Sequence, residues 1–376
     1  MKLKVGVLGI GNAGGQVAAL ARKEGIEAIA INVSEDDTKT LEGITTLVIG
    51  NSMGSGKNRD LAKMYGKASI RKLIEQTEFD TFIKNCQAVF VVYSTGGGTG
   101  SALGPMTTAV LKAQYKNDDE SKRIRFINVG ILPAIKEALH AQESTMSTIK
   151  ELASYDSCFG LYDNDYYADL PVEKMMQSVN KDIVEDIKVI RGDYNILTRF
   201  NSIDTQDMLN ILSFDGMYRI ISAVGFQEKD LDKKSLEDML LQNLQQGAGC
   251  ELDRDHTIKC LAPIVNIRPE VSEYYDSGLP KVKETIGEAP VGFEHYYVIE
   301  KEEEHLLNRV HVIMTGLSLP DDRLTKINQR IAEAEETLNA KKESSALLAY
   351  GKSHNYVGEA NVNSATDSVD DILGKF

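Results

Sequence analysis

Between Tyr93 and Ala102 the chain reads Ser94-Thr95-Gly96-Gly97-Gly98-Thr99-Gly100-Ser101, and every residue there is glycine or carries a hydroxyl. An apolar β-rich run, Ala88–Tyr93, precedes it, and a helical pattern, Gly104–Tyr115, follows. Four glycines in five positions strip away the side chains that would keep a ligand off the backbone. The bared N–H groups then form a nest at the positive end of a helix, with hydroxyls of Thr95, Thr99 and Ser101 beside them. A nest of this kind suits a di- or triphosphate. It also needs a buried strand behind it, so it constrains the fold as much as the ligand.

The first half of the chain supplies that setting. Apolar runs at Lys4–Leu8, Ile26–Asn32, Thr45–Ile49, Arg125–Leu132 and Ser157–Leu161 alternate with helical patterns at Gly15–Lys23, Lys57–Glu75 and Ile135–Leu152. Continuous apolar strands between amphipathic helices predict an α/β fold with a Rossmann-like parallel sheet covered on both faces, over residues 1–171. A long central helix is expected over 172–192, with Met176, Val179, Ile183, Ile187 and Ile190 on one buried stripe. Residues 193–318 read as a smaller α+β domain, β-rich from Thr257 to Leu317, entered through the loop Phe200-Asn201-Ser202-Ile203-Asp204. Pro320, Asp321 and Asp322 open a C-terminal helix over 319–349, and a flexible acidic tail fills 350–376.

Charge and composition exclude several function classes. Asp and Glu outnumber Lys and Arg 56 to 42, a net charge of −14, which repels a phosphate backbone and argues against direct nucleic-acid binding. No run approaches the ~18 apolar residues of a membrane span, so no membrane partner is expected. Cys86, Cys158, Cys250 and Cys260 are scattered without a CxxC pair, which fits a reducing cytoplasm. The spacing Cys250…His256…Cys260 is wrong for zinc, and His140 and His311 stand alone.

Two further glycine turns leave alternatives open. Gly9-Ile10-Gly11-Asn12-Ala13-Gly14 matches GxGxxG after a strand, with Glu35 about 20 residues on, where a ribose-binding acid sits. Alone it reads as a dinucleotide fingerprint, and a nicotinamide-dependent oxidoreductase is the rival function. Met53-Gly54-Ser55-Gly56-Lys57-Asn58-Arg59 tempts a P-loop reading but has Asn51 and Asn58 where Gly and Ser/Thr are required. Gly54, Gly56 and Lys57 are instead read as a third loop beside the phosphates, with Lys57 or Arg59 either lending charge or starting a solvated helix.

The order of these loops resembles the tubulin/FtsZ superfamily of GTP-dependent filament proteins. Gly11-Asn12-Ala13-Gly14-Gly15-Gln16 is similar to its first glycine loop, Asn32-Val33-Ser34 to its second-strand loop, and Gly96–Ser101 to GGGTG[ST]G with Ala102 in place of the last glycine. Gly130-Ile131-Leu132-Pro133 with Glu137 is similar to the proline loop, and Asp163-Asn164 to the sugar- and base-contacting loop. The shortened loops, the long final helix and the acidic tail resemble the plasmid- and phage-borne TubZ-like branch most. The resemblance implies GTP/GDP with Mg²⁺ as cofactors and the backbone of Gly96, Gly97, Gly98, Thr99, Gly100 and Ser101 on the phosphates. It implies that Asn180 reads guanine, aided by Gln16 and Asn164; otherwise Asn180 is an exposed helix residue. Asp204 and Asp207, three apart at a helix start, either aim a water at the neighbouring subunit's triphosphate or cap their own helix. The function expected is a GTPase that polymerises head to tail, segregating plasmid or phage DNA through a DNA-binding adaptor on the tail, or dividing cells as FtsZ does.

Overall fold

The structure, a computed structural model, describes residues 2–50, 54–119, 122–155, 157–198, 201–245, 248–253 and 256–344. The expected tail, the last residues of the expected C-terminal helix, and Met53 and Phe200 of the two loops lie outside these. In chain order the elements begin β1 (Val5–Ile10), α1 (Gly11–Lys23), β2 (Glu27–Asn32), α2 (Glu35–Thr38), β3 (Thr45–Val48), α3 (Arg59–Ile74) and α4 (Thr77–Lys84). There follow β4 (Ala88–Ser94), α5 (Thr99–Gln114), β5 (Arg125–Leu132), α6 (Leu139–Ala153), β6 (Cys158–Asp163) and α7 (Val172–Arg191). The chain continues through α8 (Thr205–Ile211), β7 (Gly216–Val224), α9 (Glu228–Leu231), α10 (Leu236–Gln245), β8 (Cys260–Ile267) and α11 (Ser272–Ile286). It ends with β9 (Val291–Gly292), β10 (His295–Val298), β11 (Arg309–Leu317) and α12 (Asp321–Ser344).

Among the described residues eleven strands share one sheet, ordered β10-β8-β11-β7-β6-β5-β4-β1-β2-β3, with β9 on β8. From β3 to β7 every pairing is parallel, and the antiparallel pairs are those that β11 makes with β7 and β8. The join between the halves is short: Cys158, Phe159 and Gly160 of β6 lie against Gly216, Met217 and Tyr218 of β7. Strand residues alternate between two cores, as a pleat requires. Val7, Phe90 and Val92 face the core that holds α7, while Leu8, Val91 and Tyr93 face the one that holds Leu103 and Val110 of α5.

The stripe on α7 begins at Met175, not at Met176 as the spacing suggested: Met175 is buried and Met176 half-buried. The stretch expected to be β-rich, Thr257–Leu317, contains the fifteen-residue helix α11. Its buried Tyr275, Leu279, Val282 and Ile286 recur at helical spacing, and burying them outweighs the backbone bond lost at Pro280. All four cysteines are free thiols and buried.

Candidate nucleotide site

Three loops meet at the carboxyl ends of the parallel strands, the edge where open α/β sheets bind ligands. The first is the turn from β1 into α1. Gly11 there has a φ of +72°, and a Cβ on it would lie 3.1 Å from the amide nitrogen of Gly100. Three residues on, a Cβ on Gly14 would lie 2.0 Å from the carbonyl oxygen of Val92, so α1 can press against β4 only without side chains here. Gly15 is similarly closed off by Leu41. Asn12 is exposed and Gln16 half-buried at the start of α1.

The loop from β4 into α5 is the second. Thr99 starts the helix, five residues earlier than the pattern at Gly104 suggested, so the glycines themselves form the first turn and its cap. The amides of such a first turn have no acceptor within their helix. A Cβ on Gly97 would meet nothing closer than Ser94 at 4.0 Å, which leaves an open lip above the loop. Two of the three expected hydroxyls turn away from this lip. Thr95 donates to the Ile131 carbonyl at 3.0 Å and lies 2.9 Å from the Thr145 hydroxyl, and Ser101 donates to the Gly97 carbonyl. Both are fully buried, so only Thr99 keeps a partly exposed hydroxyl.

Third comes the stretch Gly54–Asn58. Gly54, Gly56 and Lys57 all have left-handed φ values, and among the described residues Lys57 is the one non-glycine that does, at +63°. The turn lies on the Gly96–Ser101 loop: a Cβ on Gly98 would be 2.5 Å from the Ser55 Oγ and 2.6 Å from the Lys57 Cα. Lys57 is exposed. Arg59 serves α6 instead, donating to the Ser144 carbonyl at 2.7 Å, the Thr148 Oγ1 at 2.6 Å and the Glu151 carboxylate at 2.8 Å. It lends no charge to the loop.

Asn32, Pro133 and Glu137 shape this edge through the backbone. The buried Asn32 accepts from the amides of Val33 at 2.8 Å and Ser34 at 3.3 Å, which turns the chain off β2. The Pro133 Cγ stands 3.3 Å from where a Gly96 Cβ would be, and Glu137 accepts from the Ala134 amide at 2.8 Å. Asp163 sits beside Leu132 in the β5–β6 register. It holds a residue that sequence reasoning passed over: Arg323, from the first turn of α12. The guanidinium takes the carboxylate through two nitrogens, NH2 at 2.9 Å, and donates to the Pro133 carbonyl at 2.8 Å. Arg323 is 6% exposed. Asp163 is thus spent on an ion pair and on the Asp165 amide at 2.9 Å, and Asn164, half-buried, is the nearer of the two to being available.

Asn180 is half-buried on α7, which packs against α1, the helix of Gln16. Beyond it on α7, burial lifts the Asp186 carboxyl to about 7, against the opposing pull of the Arg219 charge and the Tyr162 hydroxyl at 2.6 Å. Across the seam, His311 of β11 stacks on Tyr194 with ring centroids 5.1 Å apart and lies 2.6 Å from the Ser222 Oγ. Burial, with the Arg309 charge beside it, holds its imidazole neutral and pushes it down to about 3.

Asp204 and Asp207 are elsewhere. Each accepts from the other's amide, at 2.8 and 3.0 Å, in a reciprocal cap of α8. The carbonyl of Leu209 on that helix accepts from Arg125 at the start of β5, whereas Pro133 follows its end. The eight residues of β5 at ~3.3 Å each put roughly 23 Å between the two edges. Within one subunit the acids and the glycine loops therefore do not meet.

Residues 4–170 match the model of the tubulin/FtsZ family, GTPase domain. They are a tubulin/FtsZ-family GTPase domain. The tubulin-like protein CetZ of Pyrococcus abyssi is 24% identical over 249 residues, 64% of this chain and 66% of that protein, so the match spans just under two thirds of the relative. TubZ of Clostridium botulinum phage c-st superposes with a TM-score of 0.69 at 19% identity, covering 90% of this chain and all of that one. CetZ2 of Haloferax volcanii, solved as a GTPγS-bound protofilament, gives 0.70 at 18%, again over 90% and 100%. The tubulin/FtsZ fold thus extends well beyond the matched domain, and the family is one of cytoskeletal GTPases. It displaces the dinucleotide reading of Gly9–Gly14, whose partner Glu35 is an exposed first residue of α2.

Proposed function

We propose that the protein binds GTP on Gly11–Gln16, Gly54–Lys57 and Gly96–Ser101 and hydrolyses it only when subunits stack head to tail. The observation that carries this is the placement of a glycine nest and an acidic loop on opposite edges of one sheet. In this reading residues 1–171 hold the nucleotide, 172–192 link the edges, and 193–318 bring Asp204 and Asp207 to the next subunit's γ-phosphate. Asn180, Gln16 and Asn164 meet the base, since one amide offers both a donor and an acceptor to guanine's edge. The open lip over Gly97 is the space a phosphate would fill. A Mg²⁺ carried with the nucleotide would neutralise part of the phosphate charge, with water and phosphate oxygens as its main ligands.

Each acid commits one carboxylate oxygen to the cap, so the cap leaves its second oxygen for other work. Two such oxygens from a neighbour can hold a water in line with the terminal phosphate, an arrangement worth several kcal/mol, ~3 or more. The GTPγS-bound protofilament of CetZ2 supports self-association of this fold. The net charge of −14 supports a cargo reached through an adaptor rather than by direct DNA contact, with residues 350–376 as its handle and plasmid or phage DNA as the cargo. Light scattering and electron microscopy with GTP, GDP and a slowly hydrolysed analogue test assembly. Phosphate release per molecule should climb with protein concentration; a flat specific rate with no polymer would end this reading.

A further inference from the structure

We infer that Arg323 is a positioning residue that couples the docking of α12 to occupancy of the nucleotide site. The inference rests on the reading of that site as a GTP site.

An arginine in the first turn of a helix is at the wrong end of the dipole. Here the turn is crowded with acids that offset it. Asp253 caps it, accepting from the amides of Asp321 at 2.6 Å and Asp322 at 3.2 Å, and Asp163 takes the guanidinium. Arg323 turns inward, its Nε and Nη2 bonded to residues 160 and 190 positions earlier in the chain and its Nη1 buried without a partner. Both partners follow the ends of adjacent strands at the nucleotide edge, Pro133 after β5 and Asp163 at the end of β6.

From those two residues the connection runs on by contact. Pro133 stands close over Gly96 of the glycine loop, its Cγ 3.3 Å from where a Cβ on that residue would lie. Asp163 accepts from the Asp165 amide, and Asp165 in turn accepts from the Ile135 amide at 2.9 Å, so the proline loop and the turn bearing Asn164 are tied to each other. One buried side chain thus fixes both loops that flank the sugar and the phosphates. α12 otherwise holds the body through the buried Leu324 and Ile327 and the half-buried Ile331, and it packs along α6. Because Arg323 ties this helix to both loops, anything that steadies the two loops steadies it. By reciprocity, whatever pulls on α12 shifts the nucleotide affinity by the same factor. The C-terminal residues 345–376 continue from this helix, so a partner bound there would be read at the nucleotide site.

The test uses the full chain and the variants Arg323→Met and Arg323→Lys, with a fluorescent GTP analogue and amide hydrogen exchange. In the wild type, GTP should slow exchange across the first two turns of α12, although Asp321–Lys326 contribute no group to the nucleotide site. Arg323→Met should weaken nucleotide binding about tenfold and abolish that protection, and Arg323→Lys, which keeps one charged donor, should recover part of both. Wild-type affinity together with undiminished GTP-dependent protection in Arg323→Met overturns the coupling, as does a wild type that binds GTP without protecting α12. If Arg323→Met fails to fold, Arg323→Lys decides: full wild-type behaviour in both readouts counts against the proposal. A wild type that binds no GTP overturns the GTP reading itself, and the inference falls with it.

Discussion

The two edges of the sheet are built on opposite plans. The carboxyl edge is made of absent side chains: Gly9, Gly14, Gly98 and Gly100 let backbone press on backbone, and an added Cβ would sit 2.0–3.0 Å from its neighbour in each. The other edge is made of side chains, two exposed or half-exposed carboxylates that cap one another. The first plan fixes position at the cost of tolerance. The second leaves the fold nearly indifferent to which capping residue is used, so the choice of acid on both sides of the box is free to answer to chemistry.

Substitutions should separate the edges sharply. Gly14→Ala must push α1 off β4, and urea unfolding should show a loss of about 3 kcal/mol or more, with nucleotide binding gone. At the other edge Asp204→Asn and Asp207→Asn keep a capping oxygen, so stability should drop by less than about 1 kcal/mol. Their GTP turnover should nonetheless fall roughly a hundredfold while GTP binding and filaments persist; unchanged turnover in both would reduce the pair to a helix cap. Gly97→Ala sharpens the contrast within the glycine edge. Its Cβ enters open space, so the fold should hold at wild-type stability while GTP binding weakens about tenfold because the methyl occupies the phosphate lip. The smallest effect lies near the seam, at His311. Its imidazole stays neutral down to about pH 3 in the folded chain but accepts a proton near 6.5 when unfolded, so stability is full above 6.5 and falls as pH drops through that window. From pH 6.5 to 5 the wild type should lose about 1–2 kcal/mol more than His311→Gln, measured by urea midpoints; parallel curves would show the ring is not buried.

Much of the carboxyl edge was legible because its signal is local. A run such as Gly96–Gly100 declares a turn lined by backbone, and the apolar strands on either side declare a parallel sheet. What escaped was non-local. Arg323 sits in an ordinary surface-helix pattern, and nothing near it points to Asp163, 160 residues away. For the same reason Asp163 reads from sequence as a free ligand group and proves to be committed. Thr95 and Ser101 carry the right chemistry for phosphate but face inward: Thr95, just past β4, finds the Ile131 carbonyl of β5, and Ser101, in the first turn of α5, finds the Gly97 carbonyl. Helix α11 was missed although Tyr275, Leu279, Val282 and Ile286 recur at helical spacing, because Pro280 in their midst has the usual meaning of a break.

The four buried thiols give the molecule an intrinsic gauge of local opening. Burial pushes Cys86 up to about 12 and Cys260 to about 11, and lifts Cys158 and Cys250 as well, so none is a thiolate in the closed state near neutral pH. A thiol reagent can react only when the segment around each sulfur breathes. One sulfur precedes β4, one lies on β6, one follows α10 and one starts β8, so four labelling rates would chart which parts of the sheet loosen first.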